Sequence, residues 1–361
     1  MENKRVLFLV NHDLVIYNFR KELVEKLLEE GYQVFISSPY GKKIDYLVDM
    51  GCVFKEISIE RHGLNPFKDI QIIFEYKRLI KEIDPMAILS FTIKPNIYGA
   101  IAAKQRKVPV IANITGLGSA VENKGFLQLV TILMYKYAFT QIQTVFFQNR
   151  ENLDFFVKNK IALGKHKLLP GSGVNLTHFH PLDYPKSESI NFVFISRIMK
   201  EKGIDEYIKA ANVIRSKYSN TSFHICGFCE EDYYEVLNEY ERKDIIIYHG
   251  MIEDIRDILK ITHCTIHPTY YPEGMSNVLL ESCASARPII TTDRSGCKEI
   301  VDNNINGYIV KEKNEKDLIE KIEKFINLSY EEKKEMGLRA REKVEKEFDR
   351  RIVVDMYLNE L

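Results

Sequence analysis

The residues best suited to chemistry lie in one loop and the helix it enters, Pro268-Thr-Tyr-Tyr-Pro-Glu-Gly-Met-Ser-Asn277 followed by Glu281. Glu273 ends the loop and Glu281 falls about one turn into the helix. Two carboxylates therefore flank a helix N-terminus whose first amides have no partner within the helix. Carboxylates accept hydrogen bonds from vicinal sugar hydroxyls, while the amides of Gly274, Met275, Ser276 and Asn277 face a negative group. The pattern suits a polyhydroxy ligand carrying phosphate. A surface Glu, a helix Glu and a cap at Ser276 or Asn277 account for the same spacing without a ligand. A second stretch, Ser196-Arg-Ile-Met-Lys-Glu-Lys-Gly203, supplies positive charge. Arg197 can clamp a phosphate with its fork of donors, and Lys202 can act as a mobile point charge. Together they point to a diphosphate; alone, the stretch also reads as a solvated charged loop.

These loops need elements to hold them. The chain has 361 residues, a length expected to form two domains, and its 45% hydrophobic and 28% charged content excludes a disordered or fibrous protein. Lys plus Arg and Asp plus Glu are 51 each, so no global basic field invites a nucleic acid. Short β-rich apolar runs alternate with helical patterns almost from end to end, which predicts α/β architecture with doubly wound parallel sheets. In the first half, strands are expected at Arg5 to Asn11, Tyr32 to Ser38, Val53 to Ile59, Met86 to Phe91, Val108 to Ile114 and Thr144 to Gln148. Helices fall at Tyr17 to Glu30, Asp69 to Ile83, Asn96 to Arg106 and Phe126 to Phe139. A second series has strands at Asn191 to Ser196, Ser222 to Cys226, Ile245 to His249, Cys264 to His267 and Pro288 to Thr292. Its helices fall near Ile204 to Tyr218, Glu230 to Glu241, Ile255 to Ile261 and Asn277 to Ala286, followed by a charged helical stretch from Asn314 to Glu347. The expected boundaries are 1–170 for a first Rossmann-like domain, 171–189 for a polar linker, 190–347 for a second such domain and 348–361 for a terminal segment. In such sheets ligands bind beyond the carboxyl ends of the strands, where both chemical loops lie.

The combination of Ser196-Arg197, Lys202-Gly203, Glu273-Gly274 and Glu281 resembles the retaining GT-B glycosyltransferases of family 4. Gly296-Cys-Lys-Glu299, Asn306-Gly307 and Gly173-Val-Asn-Leu-Thr-His-Phe-His-Pro181 share the likeness. Phe91-Thr-Ile-Lys-Pro-Asn-Ile-Tyr-Gly99 and Asn113-Ile-Thr-Gly-Leu-Gly-Ser119 are similar to the bacterial branch that builds capsule, O-antigen and lipid-linked glycans on undecaprenyl diphosphate. The resemblance implies two domains facing across a cleft, with the final segment returning to the first. It implies that Arg197 and Lys202 neutralise the diphosphate of a nucleotide-sugar donor, UDP-linked by analogy, without a metal or other cofactor. Glu281 would hold the ribose, Glu273 and the amides of Gly274 to Ser276 the transferred sugar, and Gly250 with Ile252 would border the base. The sugar would pass with retention to a lipid-linked saccharide. The first βα loop, Asn11-His-Asp-Leu-Val-Ile-Tyr17, lacks the Gly-Gly pair of many relatives, and Thr115-Gly-Leu-Gly118 stands where many carry His. His12, Asp13 and Lys94 are then the polar acceptor-side candidates, with Gly116 and Gly118 offering close backbone approach.

Two rival readings share this fold: a nucleotide-sugar 2-epimerase, and a protein that binds nucleotide-sugar without turnover. No run reaches the roughly 20 apolar residues of a spanning helix and no cleavage signal opens the chain, so the expected location is cytoplasmic. The apolar helix Phe126 to Phe139, near Lys124 and Lys136, could lie peripherally on the inner face of the cell membrane, although burial in a Rossmann domain explains it better. Cys226 with Cys229, and His178 with His180, lack the further ligands of a metal site.

Overall fold

A computed structural model describes residues 3–59, 66–117 and 125–361, with the side chains of residues 66 and 67 left aside. Two compact units divide the chain: Met1–Ser172 with Arg350–Leu361, and Gly173–Asp349.

Among the described residues the first unit holds seven strands: β1 (Arg5–Leu9), β2 (Gln33–Ser38), β3 (Val53–Glu56), β4 (Ala87–Phe91), β5 (Val110–Ile114), β6 (Thr144–Phe147) and β7 (His166–Leu168). They pair in parallel in the order β3-β2-β1-β4-β5-β6-β7. Strand periodicity assigns the faces: Leu7 and Leu9 enter one apolar layer with Ile88, Ala112 and Val145, whereas Val6 and Phe8 enter the other with Leu89, Ile111 and Phe146. Both faces are covered, as the near-continuous apolar strands require.

The second unit holds β8 (Ile190–Ile195), β9 (Thr221–Cys226), β10 (Ile247–Tyr248), β11 (Cys264–His267), β12 (Ile289–Thr292) and β13 (Gly307–Val310), ordered β10-β9-β8-β11-β12-β13 and again parallel. In each sheet the order reverses beside its first strand, at β1/β4 and at β8/β11. These switch points open the crevice in which α/β proteins bind ligands. The chain from Gly173 packs into the second unit rather than running free, with Val174, Phe179 and Tyr184 buried and the Tyr184 hydroxyl donating to the His263 carbonyl at 3.0 Å.

Several elements differ from expectation. The helix anticipated from Tyr17 to Glu30 starts earlier and breaks in two, Asp13–Phe19 and Lys21–Glu29. Arg20 leaves helical geometry between them, and its guanidinium turns inward to lie 5.2 Å from the Phe91 ring and 5.6 Å from the Tyr357 ring. The stretch from Asn314 to Glu347 is also two helices, Glu315–Ile326 and Tyr330–Glu347, the second opened by a Ser329/Glu332 capping box. Helices Lys43–Asp49 and Arg150–Lys158 and strands β7 and β13 were not anticipated. Helix Phe126–Ala138 is not enclosed: Thr131, Tyr135 and Ala138 face the core, while Phe126, Leu129, Leu133 and Tyr137 are exposed. Among the described residues no helix is long and apolar enough to cross a membrane. The final helix, Arg350–Leu358, belongs to the first unit: Asn113 Nδ2 donates to the Tyr357 hydroxyl at 2.6 Å, and Arg350 Nη1 pairs with Glu22 at 2.9 Å.

Candidate active site

The switch point of the second sheet sets two loops side by side, one after β8 and one after β11. The first runs from Ser196 through a tight turn at Lys200–Lys202 to Gly203, which starts helix Ile204–Lys217. Gly203 has φ +81°, and a Cβ there would stand 2.2 Å from the Pro268 carbonyl oxygen. Only glycine permits both the left-handed backbone and this approach of the two loops. Their backbones are joined by Tyr270 N–H donating to the Glu201 carbonyl at 2.9 Å. Lys202 and Glu273, far apart in sequence, consequently meet as an ion pair with both side chains largely buried.

Further supports aim the Glu273 loop. Gly296 has φ +89°, and a Cβ there would lie 2.7 Å from the Gly274 carbonyl oxygen. Ser276 N–H donates to the Gly296 carbonyl at 2.8 Å. The turn that carries Gly296 is held by Glu299, whose carboxylate accepts from Gly296 N–H at 2.7 Å and from Ser295 Oγ at 3.1 Å. Ser276 is the N-cap of helix Asn277–Ala284, but its hydroxyl makes no capping bond. The buried Asn277 Oδ1 has no hydrogen-bond partner among the described residues. The capping explanation of Ser276 and Asn277 therefore loses its geometric basis. Glu281 lies in the second turn of the same helix, partly exposed.

Electrostatics here are strongly coupled. Burial alone would push the Glu273 carboxyl up, but the Lys202 ammonium and His267 beside it outweigh burial and hold it down at about 2. His267, at the end of β11, is buried with Nε2 3.8 Å from Glu273 Oε1; burial and Lys202 depress its pKa, which favours the neutral ring. Arg197 pairs with Glu230, and its guanidinium lies 5.1 Å from the Tyr271 ring centroid; the same ring lies 4.5 Å from Lys202 Nζ. Tyr271, Glu230 and His267 were missed by sequence reasoning, because their partners lie on distant loops and no spacing announces them. Gly250, at φ +65°, accepts at its carbonyl from Gly227 N–H at 2.8 Å, while Ile252 packs near Val193 and Cys226.

The first unit carries the other candidates at its own switch point. His12 follows β1 and caps helix Asp13–Phe19, with Nδ1 2.7 Å from Asp13 Oδ1. Asp13 is buried and works on backbone: Oδ1 accepts from Leu14 N–H and Oδ2 from Lys43 N–H, each at 2.9 Å. This joins the loops after β1 and β2. Lys94, in the first turn of helix Ile93–Ala103 after β4, pairs with Asp69 at 2.9 Å. Gly116 follows β5, partly exposed, and Gly118 lies outside the described residues. Among the described residues no three His, Cys, Asp or Glu side chains gather as a metal site.

Two parallel Rossmann-like sheets in one chain are the architecture of the glycosyltransferases of GT-B fold. The first half matches the family model for 4-like glycosyl transferases over residues 5–149, and the second that for glycosyl transferases group 1 over residues 183–343. The chain belongs to this retaining family, family 4. It is 28% identical to the N,N'-diacetylbacillosaminyl-diphospho-undecaprenol alpha-1,3-N-acetylgalactosaminyltransferase of Campylobacter jejuni, with 88% of each chain covered. It is likewise 28% identical to the capsular polysaccharide biosynthesis glycosyltransferase CapM of Staphylococcus aureus, covering 98% of this chain and 95% of that one. In structure it resembles a glycosyltransferase from Rickettsia africae (TM-score 0.82, 18% identity, 99% and 98% covered) and Anabaena HepE in complex with UDP (TM-score 0.80, 14% identity, 99% and 98% covered).

Proposed function

We propose that this glycosyltransferase moves a hexosyl or N-acetylhexosaminyl group from a UDP-sugar to a saccharide carried on undecaprenyl diphosphate, for cell-surface glycan assembly. The observation that carries the reading is the meeting of Lys202 with Glu273 where the β8 and β11 loops join. It sets a cation for the diphosphate directly beside a carboxylate for the sugar hydroxyls.

In this reading Arg197 and Lys202 bind the diphosphate, whose charge grows as the glycosidic bond breaks. The amides of Gly274, Met275 and Asn277 add donors, whereas that of Ser276 is already spent on the Gly296 carbonyl; Glu273 orients the sugar, Glu281 holds the ribose, and Gly250 and Ile252 border the base. His12, Asp13, Lys94 and Gly116 attend the acceptor on the first unit. Asp13 acts there by fixing loops, since both its oxygens already hold backbone amides. The named activities of the Campylobacter and Staphylococcus relatives support the lipid-linked acceptor and the glycan role, and the UDP complex of HepE supports the donor nucleotide.

Thermal denaturation with UDP, GDP, ADP and dTDP, each with and without EDTA, tests the donor side. A ligand at a hundred times its Kd adds about 2.7 kcal/mol. UDP is expected to raise Tm selectively and equally in both conditions. No shift with any nucleotide would sink the reading. Product analysis with a UDP-sugar alone separates the epimerase alternative, which would release a free epimeric sugar.

A further inference from the structure

Both cations that the reading above gives to the diphosphate are engaged with carboxylates of the chain itself: Arg197 pairs with Glu230, and Lys202 with Glu273. A diphosphate must take each cation from its carboxylate, and the two exchanges differ in what they leave behind. The Glu230 side chain is 41% exposed, so water replaces Arg197. The Glu273 side chain is only 15% exposed and that of Lys202 8%, so a carboxylate that loses this ammonium has little water to turn to. A replacement stands beside the same oxygen. His267 Nε2 lies 3.8 Å from Glu273 Oε1, the atom that Lys202 holds. The ring is buried at the end of β11, 6.5 Å from the Phe194 ring between centroids, and the His267 carbonyl is fixed by Thr291 Oγ1, which donates to it at 2.8 Å. Yet neither ring nitrogen has a hydrogen-bond partner among the described residues. Buried polar atoms in that condition are rare and costly. An approach of about 1 Å would bring Nε2 within hydrogen-bonding distance of Oε1. Burial and Lys202 keep the imidazole pKa low, and a neutral ring with its proton on Nε2 can donate this bond.

We infer that His267 is a positioning residue of the donor site: as a nucleoside diphosphate draws Lys202 away, His267 Nε2–H takes over Glu273 Oε1 and keeps the carboxylate aimed at the sugar hydroxyls. The handover rests on the donor site proposed above and adds a competition to it. Glu273 and the diphosphate both require Lys202, so Glu273 opposes the diphosphate and favours only a ligand that also carries a sugar. A nucleotide-sugar recovers the cost of parting the ion pair through hydroxyls that donate to the carboxylate. The nucleoside diphosphate left after transfer has no such hydroxyls, and it gives Lys202 back to Glu273.

Calorimetric titration of the full chain with UDP, which offers no sugar for Glu273 to touch, reads the handover alone. Glu273→Gln is expected to bind UDP about tenfold more tightly than wild type, because a neutral amide holds Lys202 less firmly than a carboxylate does. His267→Leu is expected to bind UDP about tenfold more weakly, the worth of one hydrogen bond to a charged group, while His267→Gln keeps a donor and stays near wild type. Combining His267→Leu with Glu273→Gln should remove most of the effect of His267→Leu, which a purely structural histidine would not show. If His267→Leu does not fold, nitrogen NMR of the wild-type ring, assigned through His267→Gln, takes its place, and the Nε2 signal should shift when UDP is added. UDP affinity unchanged or weakened in Glu273→Gln, a His267→Leu effect that persists in the double variant, His267→Gln as damaging as His267→Leu, or an Nε2 signal that UDP leaves unmoved would each overturn the inference. Absence of UDP binding by the wild type would instead sink the donor reading itself, and the handover with it.

Discussion

Arg197 and Glu273 answer different questions at the level of the single residue. Arg197 is partly exposed and bonded to one surface carboxylate, so removing it disturbs little of the fold. Arg197→Ala is expected to weaken UDP binding by about 1.5 to 3 kcal/mol, the range for hydrogen bonds to a charged group, as titration calorimetry would measure. Unchanged affinity would remove Arg197 from the diphosphate site. Lys202 is a poorer probe, because its removal leaves the Glu273 carboxylate buried without its cation. Glu273 has a pH signature. Its carboxyl titrates at about 2 in the folded chain against an ordinary 4.5, so the folded state binds the proton less readily than the unfolded state. The resulting stability, on the order of 3 kcal/mol, is fully present above pH 4.5 and lost as pH falls toward 2. The Tm gap between wild type and Glu273→Gln should be widest above pH 4.5 and close on acidification. A gap independent of pH would contradict the coupling to Lys202.

Elements, rather than side chains, decide whether these groups meet, and Gly203 is where that is most exposed to test. Gly203→Ala forces a side chain into left-handed backbone and against the Pro268 carbonyl, at a cost on the order of 2 kcal/mol or more. Urea denaturation should show the loss, and UDP affinity should fall with it as the β8 and β11 loops separate. A variant with native stability and affinity would mean that the loops need not touch. The two loops and their motif residues were legible in the sequence because β11, Cys264–His267, is a short apolar run between turn signals. Their supports were not. His267 reads only as a strand residue, and Glu230 and Tyr271 find Arg197 through tertiary contact. The helix Lys43–Asp49 escaped notice because it is short and Lys42 offers no capping side chain. The break at Ser329 was legible as Ser329-x-x-Glu332, but the uniform charge pattern on either side masked it.

At the scale of the whole molecule, Arg350–Leu361 packs as part of the first unit. Tyr357 is fully buried beside Phe91 and Phe146, its hydroxyl bonded to Asn113, and it shields the Arg20 guanidinium. Tyr357→Ala is expected to destabilise the first unit by about 3 to 5 kcal/mol, since it opens a cavity and uncovers a buried cation. Hydrogen exchange should report faster opening across β1, β4 and β5 and little change in β8 to β12. Uniform acceleration through both sheets would show instead that the units unfold as one. The two points at which the chain passes between units, Ser172 to Gly173 and Asp349 to Arg350, lie close together, since Val174 bridges to Asp349 and donates to the Phe348 carbonyl at 2.8 Å. In mechanical terms the second unit is a loop closed at its base. Tension applied between Arg5 and Leu358 is borne by the first unit, and the second carries no load until the Arg350–Leu358 helix has been pulled from its place.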